Sequence, residues 1–113
     1  SFLPKRQTTD TLWHRCKKCD AMVFTKEWED NLQVCPRCDH HDRIRAHTRF
    51  EQVFDDGRFD LLPTPEVRED PLRFRDTKKY TDRIKTARHN TNEKDAFLNA
   101  RGTIEGRTAI IGV

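Results

Sequence analysis

The amino-acid sequence predicts a small α+β protein in which a four-cysteine zinc ribbon is followed by two short helices and a β-hairpin. Three observations lead to this fold class. Two CxxC pairs, Cys16/Cys19 and Cys35/Cys38, lie fifteen residues apart, a spacing typical of zinc sites. Two later stretches place apolar residues at helical spacing. The most apolar stretch follows a Glu-Gly turn signal near the last residues.

The four cysteines are predicted to hold one structural Zn²⁺. Cys16, Cys19, Cys35 and Cys38 are the only cysteines in the sequence, and two facing CxxC turns complete the tetrahedron that zinc accepts. Four thiolates leave no open coordination position, so the metal is expected to stabilise the fold and not to bind substrate. A disulfide framework, a redox CxxC and an iron–sulfur cluster are weaker alternatives, because no secretory leader, thioredoxin-like pattern or cluster spacing accompanies the cysteines.

Three histidines beside the cysteine pairs are predicted to be exposed turn residues and not ligands. His14 precedes the first pair, and His40 and His41 follow the second. A mixed cysteine and histidine site could be drawn from them. Because four sulfurs already saturate zinc, the sequence favours the all-cysteine site.

Composition limits both the core and the partners. Hydrophobic residues make up 34% of the 113 residues and charged residues 36%, so the core is expected to be thin, with zinc supplying much of the folding free energy. The formal net charge is +3, and a zinc site of four thiolates lowers it to about +1, unlike a strongly basic nucleic-acid-binding domain. No apolar run approaches about 20 residues. We therefore expect no membrane span, and since no leader is recognisable either, a soluble location in the cytosol or an organelle stroma.

The sequence offers no catalytic nucleophile. Its single serine is Ser1, its cysteines are assigned to metal, and its four glycines form neither a P-loop nor a GxGxxG motif. No catalytic residue is therefore predicted in this chain, and no cofactor-binding residue can be assigned apart from the zinc ligands.

Residues 1–11 are predicted to form a polar arm, and residues 12–45 the zinc ribbon. Two short strands should flank the first CxxC pair, with Asp20 in the left-handed position that ends the turn. A short helix is expected to begin with Thr25 as its cap and to end at Asn31. Residues 32–34 and 43–45 are predicted to be a second pair of strands around the second CxxC pair.

Residues 46–92 are predicted to be a helical connecting region. Its first helix covers residues 46–56, where Phe50, Val53 and Phe54 occur at helical spacing as a packing stripe, and it ends at Gly57. A short strand at residues 59–62 follows. The prolines after it predict a linker-like loop.

The second helix is expected over residues 77–89, with Asp76 as its cap. Tyr80, Ile84 and Ala87 should form its apolar face. Residues 93–113 are predicted to be a β-hairpin, with strands at 96–104 and 107–113 joined by a turn at 105–106. Because nothing polar covers the apolar residues 109–113, the hairpin is expected to be part of a larger protein.

Four ordered blocks carry a resemblance to a known family. They are WHRCKKC at residues 13–19, NLQVCPRCDHH at 31–41, LRFRDTKKY at 72–80, and EKDA at 93–96 leading to RGTI at 101–104. They resemble the N-terminal zinc-ribbon region of the β subunit of the bacterial and plastid acetyl-CoA carboxylase carboxyltransferase. The resemblance spans residues 12–113 and implies that residues 93–113 are the first hairpin of a crotonase-like carboxyltransferase domain, truncated in this sequence.

The same resemblance implies a function. Enzymes of this family transfer a carboxyl group from carboxybiotin to acetyl-CoA, which gives malonyl-CoA for fatty acid synthesis. It implies one Zn²⁺ per chain, biotin carried on a partner protein, and assembly with a carboxyltransferase α subunit (α2β2), the biotin carboxyl carrier protein and biotin carboxylase. Backbone amides that stabilise oxyanions carry the catalytic step, and the resemblance places them beyond residue 113. The chain alone is therefore expected to be inactive, while its ribbon helps to close the CoA site.

The alternative function is a nucleic-acid-binding zinc ribbon. Basic side chains could line one face of it, with Trp13 nearby for stacking. They are Arg15, Lys17, Lys18, Arg37, Arg43, Arg45 and Arg49. Acidic residues nearly cancel this charge, since residues 12–50 hold eight Lys/Arg and six Asp/Glu. Only weak nucleic-acid binding is expected.

Overall fold

The structure, a computed structural model, describes residues 12–113. The polar arm predicted for residues 1–11 lies outside the described residues. The chain divides into two compact units, and the division falls between Arg45 and Ala46. Within the described residues, no helix has the length and apolar character needed to cross a membrane.

The first unit is built on a two-stranded antiparallel sheet. Strand β1 spans Trp13–Arg15 and strand β2 spans Met22–Phe24, with Trp13 opposite Phe24. Successive side chains of a strand point to opposite faces. Val23 is buried on one face, and on the other the Trp13 and Phe24 rings stack with centroids 4.2 Å apart. The two strands predicted around the first CxxC pair are confirmed.

Helix α1 spans Thr25–Asp30 and follows β2 directly. It ends at Asn31, as predicted. Thr25 is not its cap, because it is already the first helical residue, and Phe24 before it makes no side-chain cap hydrogen bond. The strand runs straight into the helix, so no loop residue is available whose side chain could accept the first free N–H groups.

The prediction of strands at residues 32–34 and 43–45 is wrong. Leu32 and Gln33 have φ of 58° and 59°, which is the left-handed region and incompatible with a strand. They form a turn in which the Gln33 N–H donates to the Trp28 carbonyl at 2.9 Å. Within the described residues 31–45, strand-like pairing is limited to a single bridge between Val34 and His41.

The second unit combines two helices with a three-stranded antiparallel sheet. Its elements in chain order are α2 (Ala46–Val53), a 3₁₀ turn (Asp55–Gly57), β3 (Phe59–Leu61), α3 (Tyr80–Thr91), β4 (Asn99–Ile104) and β5 (Arg107–Gly112). The strand order is β3-β4-β5. The predicted hairpin with its turn at 105–106 is therefore present, but β3 also pairs with β4, which the sequence reasoning did not predict.

The first predicted helix of this unit is shorter than expected. It was predicted to reach residue 56, whereas α2 ends at Val53 and Phe54 is extended, with φ −79° and ψ 147°. Gly57 has φ of 65° and ends the 3₁₀ turn, in a conformation that a residue without Cβ adopts easily.

Helix α3 begins later than expected, at Tyr80 and not at residue 77, and Asp76 does not cap it. The Asp76 carboxylate accepts the Lys78 N–H at 3.0 Å and a bond from the Arg83 guanidinium at 2.8 Å. It therefore closes the turn that precedes the helix. The helix continues to Thr91, past the predicted end at residue 89, and Asn92 after it has a left-handed φ of 56°.

Phe50, Phe54 and Ala100 form the buried core of the second unit. The Phe59 ring of β3 lies 5.2 Å from the Phe50 ring and 6.2 Å from the Phe54 ring, measured between centroids. Gly102 on β4 makes room for them, since a Cβ there would lie 2.5 Å from the Phe54 ring. Two of the three residues of the predicted stripe are thus in the core, and small residues on β4 allow the aromatic rings to lie against the sheet.

A side chain outside the sheet fixes the β4–β5 turn. The Asp55 carboxylate accepts the backbone N–H groups of Glu105 and Gly106, each at 2.9 Å. Both residues have positive φ, 50° and 78°, as in a two-residue hairpin turn of type I′. The bond from Gly106, and next the bond from Glu105, lower the pKa of Asp55 below its ordinary value.

We expect Asp55→Asn to loosen this turn near neutral pH and to have no effect in strong acid. Because the pKa of Asp55 is lowered in the folded chain, its carboxylate stabilises the fold above the unfolded pKa of about 3.9. That contribution is lost as the pH falls through the folded pKa. Hydrogen exchange of the Glu105 and Gly106 amides, followed by NMR, should therefore be faster in the variant near neutral pH. Asp56→Asn is the matched control. Equal exchange rates in the two variants would contradict the role given to the Asp55 carboxylate in the turn.

Candidate metal centre

The first CxxC pair lies in a tight turn between β1 and β2. The Cys16 N–H donates to the Ala21 carbonyl at 3.0 Å, and the Asp20 N–H donates to the Cys16 carbonyl at 3.0 Å. Asp20 has φ of 58°, so the predicted left-handed residue is confirmed. The Lys18 N–H donates to the Cys16 sulfur at 3.4 Å. The backbone of the turn therefore supports the sulfur directly.

The second CxxC pair repeats this turn. The Cys35 N–H donates to the His40 carbonyl at 2.9 Å, and the Asp39 N–H donates to the Cys35 carbonyl at 2.9 Å. Asp39 has φ of 60°, matching Asp20 in the first turn. From the sequence, a left-handed conformation was predicted for Asp20 alone. Asp39 follows its CxxC pair at the same position, so the same argument applies to it.

The two turns bring all four predicted ligands together. The Sγ atoms of Cys16, Cys19, Cys35 and Cys38 lie within 4.8 Å of one another. Across the turns, the sulfurs of Cys16 and Cys38 are 3.6 Å apart, and those of Cys19 and Cys35 are 3.8 Å apart. A tetrahedron with Zn–S bonds of about 2.3 Å has edges of about 3.8 Å. The space between the four sulfurs therefore fits Zn²⁺.

Burial and backbone hydrogen bonds make the four thiols unequal. Cys16 and Cys35 are buried, Cys38 is half-buried and Cys19 is exposed. The backbone N–H of Cys19, with a smaller contribution from that of Lys18, lowers the pKa of the Cys16 thiol to about 7. Burial raises the pKa of the Cys38 thiol to about 12. Since zinc is bound by thiolates, metal binding at this site must release protons.

The histidines beside the cysteine pairs do not join the four sulfurs. Among the described residues, the group of side chains that could hold a metal ion consists of the four cysteines alone. His41 is exposed, as predicted. His14 is not an exposed turn residue, because it lies in β1 and stacks on the Trp28 ring with centroids 3.8 Å apart. His40 is only partly exposed and lies 3.6 Å from an Asp42 carboxylate oxygen.

Asp42 connects the parts of the first unit that surround the sulfurs. One of its oxygens lies 3.0 Å from His14 Nε2 and accepts the Trp28 Nε1–H at 3.1 Å. Its side chain is 10% exposed. β1, α1 and the segment after the second turn are therefore joined through one carboxylate. Sequence reasoning missed Asp42 and Trp28, since no local pattern brings an acid near a tryptophan fourteen residues earlier.

Two matching CxxC turns that close four sulfurs beside a short hairpin define a zinc ribbon. Residues 13–38 match the family model described as the acetyl-CoA carboxylase zinc finger domain. The matched range begins with β1 and ends at the fourth cysteine, so it contains all four sulfurs.

The similarity extends over nearly the whole chain in relatives named acetyl-coenzyme A carboxylase carboxyl transferase subunit beta. The chain is 60% identical to that of Novosphingobium aromaticivorans over 112 residues, 46% to that of Jannaschia sp. over 111 and 42% to that of Granulibacter bethesdensis over 111. These alignments cover 99%, 98% and 98% of this chain, and 39%, 35% and 36% of the relatives. The predicted resemblance is confirmed, and the chain spans little more than a third of the length of these relatives.

We expect Trp28→Phe to destabilise the first unit by about 1 to 3 kcal/mol, because it leaves a nearly buried carboxylate without one of its donors. The phenyl ring still allows stacking on His14. Denaturant unfolding of the zinc-loaded chain, followed by NMR signals of residues 12–45, measures the change. Trp13→Phe is the matched control, since Trp13 stacks on Phe24 and does not contact Asp42. An equal loss of unfolding free energy in both variants would show that the stability depends on the size of the ring and not on the hydrogen bond to Asp42.

Proposed function

We propose that this chain is the zinc-ribbon region, with the segment that follows it, of an acetyl-CoA carboxylase carboxyltransferase β subunit. The observation that carries the proposal is the extent of the similarity, which covers both units of the chain. A four-cysteine ribbon by itself would be weak support, because proteins of many functions contain one.

The proposal assigns one Zn²⁺ to Cys16, Cys19, Cys35 and Cys38. The sulfur separations of 3.6 and 3.8 Å support it. Bound zinc would link the two turns through four sulfurs and leave no position for water or substrate, so its role is structural. Thiolates of this kind persist in reducing compartments, which supports a bacterial cytoplasm or plastid stroma as the location.

In the whole enzyme, the proposed reaction is transfer of a carboxyl group from carboxybiotin to acetyl-CoA, with malonyl-CoA as product. The partners included in the proposal are the α subunit in an α2β2 assembly, biotin on the carrier protein, and biotin carboxylase. We also propose that β4 and β5 begin the crotonase-like domain. This chain contributes a scaffold to that enzyme and no nucleophile, because its cysteines are committed to metal.

The exposed side chains of the two CxxC turns suggest how the ribbon contributes to substrate binding. Lys17, Lys18 and Arg37 are exposed on these turns, and CoA carries several phosphate charges. We therefore propose that the ribbon attracts acetyl-CoA electrostatically and helps to close its site. The backbone hydrogen bonds within the two turns would fix the positions from which these three side chains extend.

A nucleic-acid-binding ribbon remains the second candidate because of one observation. The stacked Trp13 and Phe24 rings form a half-exposed aromatic surface next to Arg15, as in surfaces that stack bases. Arg15, however, pairs with Asp20 at 3.2 Å. That pair reduces the charge available for phosphate.

We expect about one zinc ion per chain in protein purified without added metal, by elemental analysis. Cys35→Ser should remove most of the zinc and unfold the first unit, since Cys35 is buried and its loss breaks the tetrahedron. A matched control is Thr25→Ser, which changes a residue in the same unit outside the metal site. Metal-free protein with an unchanged far-UV spectrum and unchanged NMR signals for residues 12–45 would contradict the zinc assignment.

We expect the 113-residue chain alone to form no malonyl-CoA, and a full-length β subunit mixed with its α subunit to form it. In that enzyme, Lys18→Glu and Arg37→Glu should raise the KM for acetyl-CoA several-fold with little change in kcat, as expected for lost binding. Lys26→Glu in α1 is the matched control.

Two results would contradict this function. Turnover by the 113-residue chain alone would mean that catalytic residues lie within it. The second result is tight binding of duplex DNA or RNA at physiological salt, with a steep salt dependence. If Lys18→Glu reduces that salt dependence and leaves the KM for acetyl-CoA unchanged, the nucleic-acid function is favoured instead.

A further inference from the structure

Helix α3 packs against no buried core within residues 12–113. None of its twelve residues is buried, and Ile84 is the one that is half-buried. Helices of this length are marginal in water without a packed apolar face. The side-chain contacts of α3 are polar and exposed, namely ion pairs from Arg83 to Asp76 at 2.8 Å and from Arg88 to Glu69, with further hydrogen bonds from the same two arginines. Exposed pairs of this kind contribute about 1 kcal/mol or less each, so α3 lacks the burial that normally stabilises a helix.

Four apolar residues occur on one face of α3 and in the turn before it. Tyr80 and Ile84 are four residues apart and share a helix face, and Ala87 follows on the next turn. The backbone of Phe74 lies next to the start of the helix, because its carbonyl accepts the Tyr80 N–H at 3.1 Å. Phe74 is 54% exposed and Tyr80 is 39% exposed. We call Phe74, Tyr80, Ile84 and Ala87 the α3 strip.

Positive charge is concentrated around the α3 strip. Residues 72–94 contain eight Lys/Arg and three Asp/Glu, whereas the whole chain has a formal net charge of only +3. Two of these cations, Arg83 and Arg88, are in ion pairs. The other six have no carboxylate within 4.0 Å among the residues that the structure describes: Arg73, Arg75, Lys78, Lys79, Lys85 and Lys94.

We propose that the α3 strip is a docking surface for a protein partner that presents apolar side chains surrounded by carboxylates. A centre of aromatic and aliphatic side chains is typical of protein interfaces. A partner with an acidic rim would complement the six cations and be drawn to them. Burial of the strip would supply the apolar contacts that α3 lacks. The surface lies in the second unit and depends on neither the zinc site nor the proposed carboxyl transfer.

A lipid bilayer and a nucleic acid fit this surface less well. Helices that lie in a bilayer interface carry a wide face of Leu, Phe or Trp, whereas α3 offers Ile84 and the small Ala87 beside Tyr80. Surfaces for single-stranded nucleic acid need a continuous run of cations along the backbone. Here Asp82 in the first turn of α3 and Asp76 before it interrupt the positive charge. A protein surface with both apolar and acidic groups is therefore the occupant that the residues favour.

The test measures binding of the 113-residue chain to a defined probe, a fluorescent helical peptide of about 20 Glu and Leu residues, by fluorescence anisotropy. We expect saturable binding, and none for a Lys and Leu peptide of equal apolar content. The double variant Lys79→Glu/Lys85→Glu and the double variant Phe74→Ser/Ile84→Ser should each weaken binding roughly tenfold. The matched control is Arg101→Glu/Arg107→Glu, which makes the same charge change on β4 and β5 and should leave binding within about twofold.

A second measurement separates lost docking from lost folding. Hydrogen exchange followed by mass spectrometry should show that the peptide protects residues 80–91 in the parent chain, and that β4 and β5 exchange alike in every variant without peptide. Absence of peptide binding, or an equal loss in the control variant, overturns the proposal. The chain could instead bind phosphatidylserine vesicles or an oligonucleotide more tightly than the peptide, or associate with itself. If the strip variants abolish any of these interactions, the proposal of a protein partner is also overturned.

Discussion

The packing of four sulfurs within 4.8 Å of one another is the constraint on which the first unit depends. Among the described residues of that unit, Cys16, Val23 and Cys35 are buried, so two of its three core residues belong to the four-cysteine group. Thiolates at these distances repel one another strongly in a poorly solvated site, and a divalent cation removes that repulsion. The four-cysteine group therefore forms most of the core of the first unit, and the hairpin and α1 are arranged around it.

The grouping of the four cysteines could be predicted from sequence because a CxxC pair is a local signal whose geometry follows from a few residues. The same reasoning failed at residues 32–34, where β-type side chains suggested a strand. Leu32 and Gln33 lie in left-handed conformations, which cost free energy for residues with a Cβ. The turn is retained because its N–H groups bond back to α1, as from Gln33 to Trp28. Such tertiary compensation cannot be read from the local pattern.

In the second unit, periodicity predicted that helices exist but not where they end. Phe54 continues the helical pattern of the sequence, yet it leaves the helix and its ring packs with Phe59 of β3. The end of α2 is thus set by a sheet whose β3–β4 pairing joins Phe59 to Gly102. Pairings across such sequence distances leave no short-range signature. A small residue such as Gly102 is informative only once the aromatic ring that it accommodates is known.

The chain therefore uses two different sources of stability, and α3 shares in neither of them. The first unit buries few apolar residues, and its two CxxC turns are fixed by backbone hydrogen bonds at Cys16 and Cys35. A cation bound between the four sulfurs would therefore supply the cohesion that an apolar core supplies elsewhere. The second unit buries Phe50, Phe54 and Ala100 against its sheet and needs no metal for that. Within the described residues, helix α3 has surface ion pairs, exposed side-chain hydrogen bonds and an exposed apolar strip. Such exposed polar contacts are too weak to order twelve residues. An ordered α3 therefore requires apolar burial that the described part of the chain does not provide, and its surrounding cations favour an acidic surface as the source of that burial.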